Sequence, residues 1–164
     1  MLNLVTLRPV EAADLQLVKR LWQLYRHDLS EFRGMLPDDT GLFTPGRLPS
    51  YLNNPDSCGY ILYRDTGPVG FAFLSGLRIR PLRVSEFFVV RAVRRLGIGR
   101  DAARQLFARH PGNWEVAFQE ENPGAAHFWR RFAAEICPAG YHEERRAVPG
   151  KPHVPPDIWL LLTT

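Results

Sequence analysis

Lysine is nearly missing from this sequence. Of 21 basic residues only Lys19 and Lys151 are lysines, so the net charge of +4 rests on arginine. That composition favours fixed, forked hydrogen bonding to oxyanions over a diffuse cloud of mobile ammonium groups. Cysteine is scarce as well. Cys58 and Cys137 alone exclude a disulfide framework and a thiolate metal site, and a reducing, cytoplasmic compartment is the expectation. No apolar run approaches the length of a membrane span, and Met1 to Glu11 lacks a basic segment followed by a long apolar one, so neither an anchor nor a leader is expected. Nor is there a recognisable nucleic-acid-binding module. The 17 acidic residues dilute the basic field, so no nucleic-acid partner is expected.

What is present is enough apolar sequence for a core. At 164 residues and 45% hydrophobic, one domain spanning 1–164 is the expectation. Leu2 to Arg8 alternates and stops at Pro9, which predicts a strand. Leu15, Val18, Trp22, Tyr25 and Leu29 recur at helical steps, predicting a helix over 11–32. Residues 34–56, rich in Gly, Pro, Asp and Asn, read as a long loop with one helical turn around 48–52. Such loops tend to be lids or binding surfaces. Strands at 59–64 and 69–74 flank the turn residues Asp65-Thr66-Gly67-Pro68. A third strand covers 83–90, with Val84, Glu86, Phe88 and Val90 sharing a face. A helix from Ile98 to Arg109, a strand at 114–119, a helix at 123–136 capped by Asn122, and strands at 140–147 and 158–162 complete the chain. This order predicts an α/β (α+β) fold with a mixed, mostly antiparallel sheet and one βαβ-like crossover.

The densest feature is Val90-Arg91-Ala92-Val93-Arg94-Arg95-Leu96-Gly97-Ile98-Gly99-Arg100, set between a strand and a helix. Helix-start amides, approachable glycine backbone and forked arginines together make an oxyanion cradle. Gly97 to Ala102 also fits the G-x-G-x-x-A dinucleotide fingerprint, but an arginine-rich loop separates it from its strand and the preceding strands form hairpins, which counts against a Rossmann turn.

Arg94-x-x-Gly97-x-Gly99 after the strand Glu86-Phe87-Phe88-Val89 resembles the pyrophosphate-binding motif of the GNAT acyltransferases. Asn122, Ala125 and the aromatic Trp129, after the short strand at 114–119, resemble that family's next motif. The resemblance covers 83–136. It implies a GNAT-like domain with helices on both faces of the sheet. It further implies acetyl-CoA as cofactor and transfer of an acetyl group to a primary amine of a small molecule or peptide by direct attack in a ternary complex. Under it, the strand holding Phe88 and Val89 splays from its neighbour and pairs with pantetheine. The backbone of Leu96, Gly97, Ile98, Gly99 and Arg100 cradles the pyrophosphate with charge from Arg94 and Arg95. Asn122 bonds along the cofactor arm, and Phe128 and Trp129 wall the thioester end.

For the chemistry, Glu86 is the candidate base, and the resemblance implies that a backbone N–H near Val89 polarises the carbonyl. Tyr25, Asp28, Glu31 and Glu86 are the candidate acceptor-binding residues, an acidic, aromatic mouth suited to a cationic amine. The family's usual tyrosine is replaced by Trp129, whose indole cannot supply a proton usefully at neutral pH, so either another group such as Tyr141 or a water serves or the thiolate leaves unassisted. An alternative reading is an acyl-CoA-binding module without turnover. No metal and no membrane partner are expected, and exposed strands would allow a homodimer.

Overall fold

The computed structural model describes residues 4–65 and 67–164. Among these, β1 (Thr6–Pro9), β2 (Ser57–Arg64), β3 (Gly67–Ser75), β4 (Leu82–Val89), β5 (Asn113–Phe118), β6 (His142–Arg146) and β7 (Asp157–Thr163) form one sheet in the order β1-β2-β3-β4-β5-β7-β6. Neighbouring strands run antiparallel except β4 and β5. The crossover between that parallel pair is the helix α3 (Ile98–Arg109), as a parallel connection requires. The other helices are α1 (Leu15–Arg33), α2 (Leu48–Asn53) and α4 (Pro123–Ile136). None of the described helices is long and apolar enough to cross a membrane.

Strand alternation divides the core in two. On one face α1 and α2 bring Val18, Leu21, Trp22, Leu48 and Tyr51 against Ile61, Phe71, Phe73 and Phe88. On the other, α3 and α4 lay Ala102, Leu106, Phe107, Trp129 and Phe132 over Leu62, Leu74, Val84 and Trp114. Phe107 stacks on Trp114 with ring centroids 4.1 Å apart, fixing α3 to β5. Helices thus cover both faces, as the resemblance implied.

The predicted elements all occur, with differences at their ends. Of the first strand, Leu2 and Asn3 lie outside the described residues, as does Thr66 of the hairpin turn. The first helix begins with a 3-10 turn, Ala12–Asp14, because the Asp14 carboxylate accepts from the Glu11 N–H at 3.0 Å and from Arg8 at 2.7 Å. The closing strand starts at His142, leaving Gly140, at φ 113°, and Tyr141 outside it.

The larger difference is in β4. Phe73 pairs with Glu86 but Leu74 pairs with Val84, so Ser85 is an extra residue in the strand. Such a bulge reverses the side-chain alternation beyond it. Val84 packs in the α3/α4 core, whereas Glu86 and Phe88 face α1 and α2. The expectation that Val84, Glu86 and Phe88 share one face fails for this reason.

Candidate active site

Glu86 sits where the bulge has turned it. Tyr25 Oη on α1 donates to one carboxylate oxygen, and Tyr51 Oη on α2 donates to the other at 2.9 Å. Packing explains why both hydroxyls reach it. Trp22 and Phe71 hold the Tyr25 ring edge-on at 5.3 and 5.4 Å, and Tyr51 stacks on Phe73 at 5.6 Å. Burial pushes the Glu86 carboxyl up from its ordinary range, against the downward pull of the two hydrogen bonds and of the charges on Arg47 and Arg26. Burial and the adjacent carboxylate push both tyrosines up as well, so they remain protonated donors. A carboxylate made more basic and held by two donors is suited to accepting a proton. Tyr51 is missed by sequence reasoning. Its only signal was a helical turn inside a loop, with nothing to tie it to Glu86.

Beside Glu86 the sheet opens. The β4–β5 ladder pairs Leu82 with Trp114, Arg83 with Glu115 and Val84 with Val116, and goes no further. Backbone polar groups beyond Val84 are left along that edge. The Val90 N–H donates to Val69 O at 2.8 Å, and a Cβ on Gly70 would meet Phe88 O at 2.0 Å, so the Phe88 and Val90 peptides face β3. By alternation the N–H and C=O of Phe87 and Val89 face the opening. Arg94 Nε marks that side by donating to Val89 O at 2.7 Å. Phe88 was expected to offer its backbone there. Instead its peptide is turned to β3 and its ring lies in the α1/α2 core, while Phe87 takes the place facing the opening.

At the end of the opening lies the start of α3. Gly97, at φ 84°, occupies the cap position without a side-chain cap, and Arg95 before it is also left-handed, at φ 64°. The first amides of α3 are therefore uncapped donors at the positive end of the helix. Ile98, 2% exposed, anchors this turn in the core, while Leu96 stands out in solvent. Gly99 lies against aromatic rings: a Cβ there would come within 3.3 Å of Phe128 and 3.7 Å of Phe87. A left-handed glycine, uncapped amides and an open strand edge lie next to one another here and make a candidate backbone cradle.

The acetyltransferase (GNAT) family model matches residues 18–134. This chain belongs to the GNAT family. Among solved structures it is similar to an acetyltransferase from Thermus thermophilus, at 19% identity and a TM-score of 0.68 over 98% of each chain. It is also similar to the spermidine N-acetyltransferase from Vibrio cholerae in complex with CoA and spermine. That likeness has 13% identity and a TM-score of 0.66, over 98% of this chain and 95% of the other. A third likeness is to the ribosomal-protein-S18-alanine N-acetyltransferase from Escherichia coli, at 15% identity and a TM-score of 0.64 over 96% and 92%. At these identities the likeness is one of fold. No curated protein matches the sequence.

Several side chains of this GNAT chain stand elsewhere than the sequence suggested. Asp28 is held by Arg91 at 2.8 Å and by Arg94, and Glu31 lies 3.8 Å from Arg91. The expected acidic acceptor mouth is therefore neutralised, and Arg94 is committed to Asp28 and to Val89 O. Arg100 and Arg104 both pair with Glu135 on α4, which leaves the Arg100 amide at the helix start but takes its side chain away. Of the arginines around that turn, Arg95 has no ion pair among the described residues. Asn122 uses its side-chain oxygen to cap α4, accepting from the Ala125 N–H at 3.1 Å.

Trp129, 5% exposed, is a core residue packed on Phe87 at 5.2 Å and on Phe132 at 5.9 Å. The expectation that it walls the site alongside Phe128 fails because its stripe of α4 faces the sheet. Phe128 stacks on Phe87 at 5.8 Å, next to Gly99. Tyr141 packs against the α3/α4 core, the opposite face from Glu86, and shares no hydrogen bond with it among the described residues. A surface depression of about 560 Å³ beside Glu120, His127 and Arg130 contains none of the candidate residues.

Proposed function

We propose that this GNAT chain transfers an acetyl group from acetyl-CoA to a primary amine, with Glu86 as the proton acceptor. The observation that carries this reading is the placement of Glu86. The β4 bulge turns its carboxylate onto the α1/α2 face, between two tyrosine hydroxyls and level with the strand opening.

The cradle fits the cofactor. Its glycines leave backbone amides exposed at a helix start, and the open β4 edge offers the Phe87 N–H and C=O and the Val89 N–H to an extended amide chain, the Val89 C=O being taken by Arg94. Leu96, Gly97, Ile98, Gly99 and Arg100 would hold the pyrophosphate through their backbone, with Arg95 adding charge, and Phe128 would border the arm. When bound, acetyl-CoA supplies an acetyl group activated as a thioester. The Val89 N–H, directed into the opening, is placed to polarise a carbonyl. Glu86, more basic than a solvated carboxylate, takes a proton from an incoming ammonium, and Tyr25 and Tyr51 fix the orientation of its two oxygens.

A second reading, an acyl-CoA-binding module without turnover, is motivated by Trp129, which is both unable to donate a proton usefully and sealed in the core. A thiol-release assay with acetyl-CoA and a panel of amines, run beside a thermal shift with acetyl-CoA, separates the two. Release with at least one amine, lowered about 100-fold or more in Glu86→Gln, supports transfer. A thermal shift without release across the panel supports the module. Absence of any shift overturns the cradle.

A further inference from the structure

The charges near Glu86 differ from the acidic mouth that the sequence suggested. Asp28 and Glu31 are taken up by Arg91 and Arg94. Two arginines whose charges act on Glu86, Arg26 and Arg47, have no ion pair among the described residues. Arg26, next to Tyr25 on α1, directs one terminal nitrogen at the Met35 thioether, 2.8 Å away, and its buried Nε has no partner. A thioether is a weak acceptor, so a partly buried guanidinium is left under-satisfied, which native structures generally avoid. The guanidinium reaches the loop that carries Arg47, since a Cβ on Gly46 would lie in contact with its terminal nitrogen at 3.8 Å. Arg47 follows at the start of α2, exposed, and its charge acts on both Tyr51 and Glu86.

Arg33 is shared by Glu121 at 3.3 Å and Asp157 at 3.0 Å. Arg47 also acts on Asp157. Arginines and carboxylates thus balance, with Arg33 in ion pairs, Glu86 held between tyrosines, and Arg26 and Arg47 outside any ion pair among the described residues.

We propose that the acceptor is a small zwitterionic amine of the amino-acid kind, its ammonium directed to Glu86 and its own oxyanion held by Arg26 and Arg47. This rests on the reading of Glu86 as the acceptor-side base. One ammonium proton passes to Glu86 and on to solvent. The nitrogen lone pair forms the bond to the acetyl carbon as the carbon–sulfur bond breaks, and the second proton lost from nitrogen ends on the departing thiolate. A polyamine instead sets further ammonium groups against Arg26 and Arg47, a like-charge arrangement that selects against it.

The test uses matched acceptors with the full chain and acetyl-CoA: leucine against isoamylamine, phenylalanine against phenethylamine, phosphoethanolamine against ethanolamine, and spermine. The oxyanion-bearing member of a pair should have a kcat/KM about tenfold or more above its partner, the range expected for a charge-assisted contact. The first two pairs report a carboxylate and the third a phosphate. Arg47→Gln, an exposed substitution that should leave the fold intact, should raise KM for the preferred acceptor about tenfold, shrink the ratio toward one, and leave the acetyl-CoA thermal shift unchanged. Arg26→Gln should act likewise.

Calorimetric titration of the same acceptors supplies a readout independent of turnover. Binding of the zwitterion that is lost in Arg47→Gln, without any thiol release, upholds this site and overturns the transferase reading. Release with isoamylamine, phenethylamine or spermine as fast as with the zwitterions overturns the acceptor class and leaves the transferase reading standing.

Discussion

Replacing Glu86 by glutamine separates the cost of its charge from its use. In the wild type the carboxylate is drawn from water and accepts two tyrosine hydrogen bonds, and burial outweighs those bonds, so its folded-state pKa is raised. The sign follows from linkage. A carboxyl with a raised folded pKa binds protons more tightly folded than unfolded, so its contribution to stability falls as pH rises from the unfolded carboxylate range through the raised value. Glutamine does not titrate and escapes that loss. Its amide keeps one acceptor oxygen but presents a donor to the other tyrosine, which must rotate, a cost of about 1 kcal/mol. For a chain of this size that is about 2–4 °C in Tm. Glu86→Gln should therefore lose no more than about 4 °C at acidic pH, and should gain on the wild type as pH rises to neutrality. Over the same range, thiol release should fall by two to four orders of magnitude, the usual contribution of a positioned base. Calorimetric scans from pH 4 to 8, paired with initial rates, check both halves. Parallel Tm–pH curves for the two proteins would refute the buried-charge argument, and an unchanged rate would remove Glu86 as the base.

Three further outcomes follow from the packing. Gly70→Ala should destabilise the chain by about 2 kcal/mol or more, because the new methyl would sit 2.0 Å from Phe88 O in the adjacent strand; chemical denaturation measures it. Trp129→Phe should leave turnover within a few-fold, whereas Trp129→Ala should cost about 3–5 kcal/mol of stability, as befits a core residue and not a proton donor. Gly99→Val, which pushes a branched side chain onto Phe128, should weaken the acetyl-CoA thermal shift more than it lowers the Tm of the free protein, and scans with and without acetyl-CoA give both quantities.

Much of this chain was legible along its length. Apolar spacing marked α1, α3 and α4, and Pro123 after Asn122 marked where α4 starts, because helix periodicity and caps are local properties. The arginine–glycine turn was also legible, since Gly97 needs a left-handed backbone and sits where a helix begins. Side-chain pairing was not. Nothing near Asp28 in sequence says that Arg91 and Arg94 will neutralise it, and nothing near Arg100 points to Glu135.

The sequence by itself determined the element order, the crossover and the place of the glycine-led, uncapped helix start, because these depend on hydrophobic period and on residues a few positions apart. Only the tertiary structure decided the site's chemistry. The Ser85 bulge becomes visible only when β4 is laid against β3, and that extra residue moves Glu86 from the face of Val84 to the face of Tyr25 and Tyr51. The arginine surplus was divided the same way. Folding commits Arg91, Arg94, Arg100 and Arg104 to nearby carboxylates, while Arg26 and Arg47, whose charges act on Glu86, have no ion pair among the described residues, because charge compensation acts through space between residues that the chain keeps far apart.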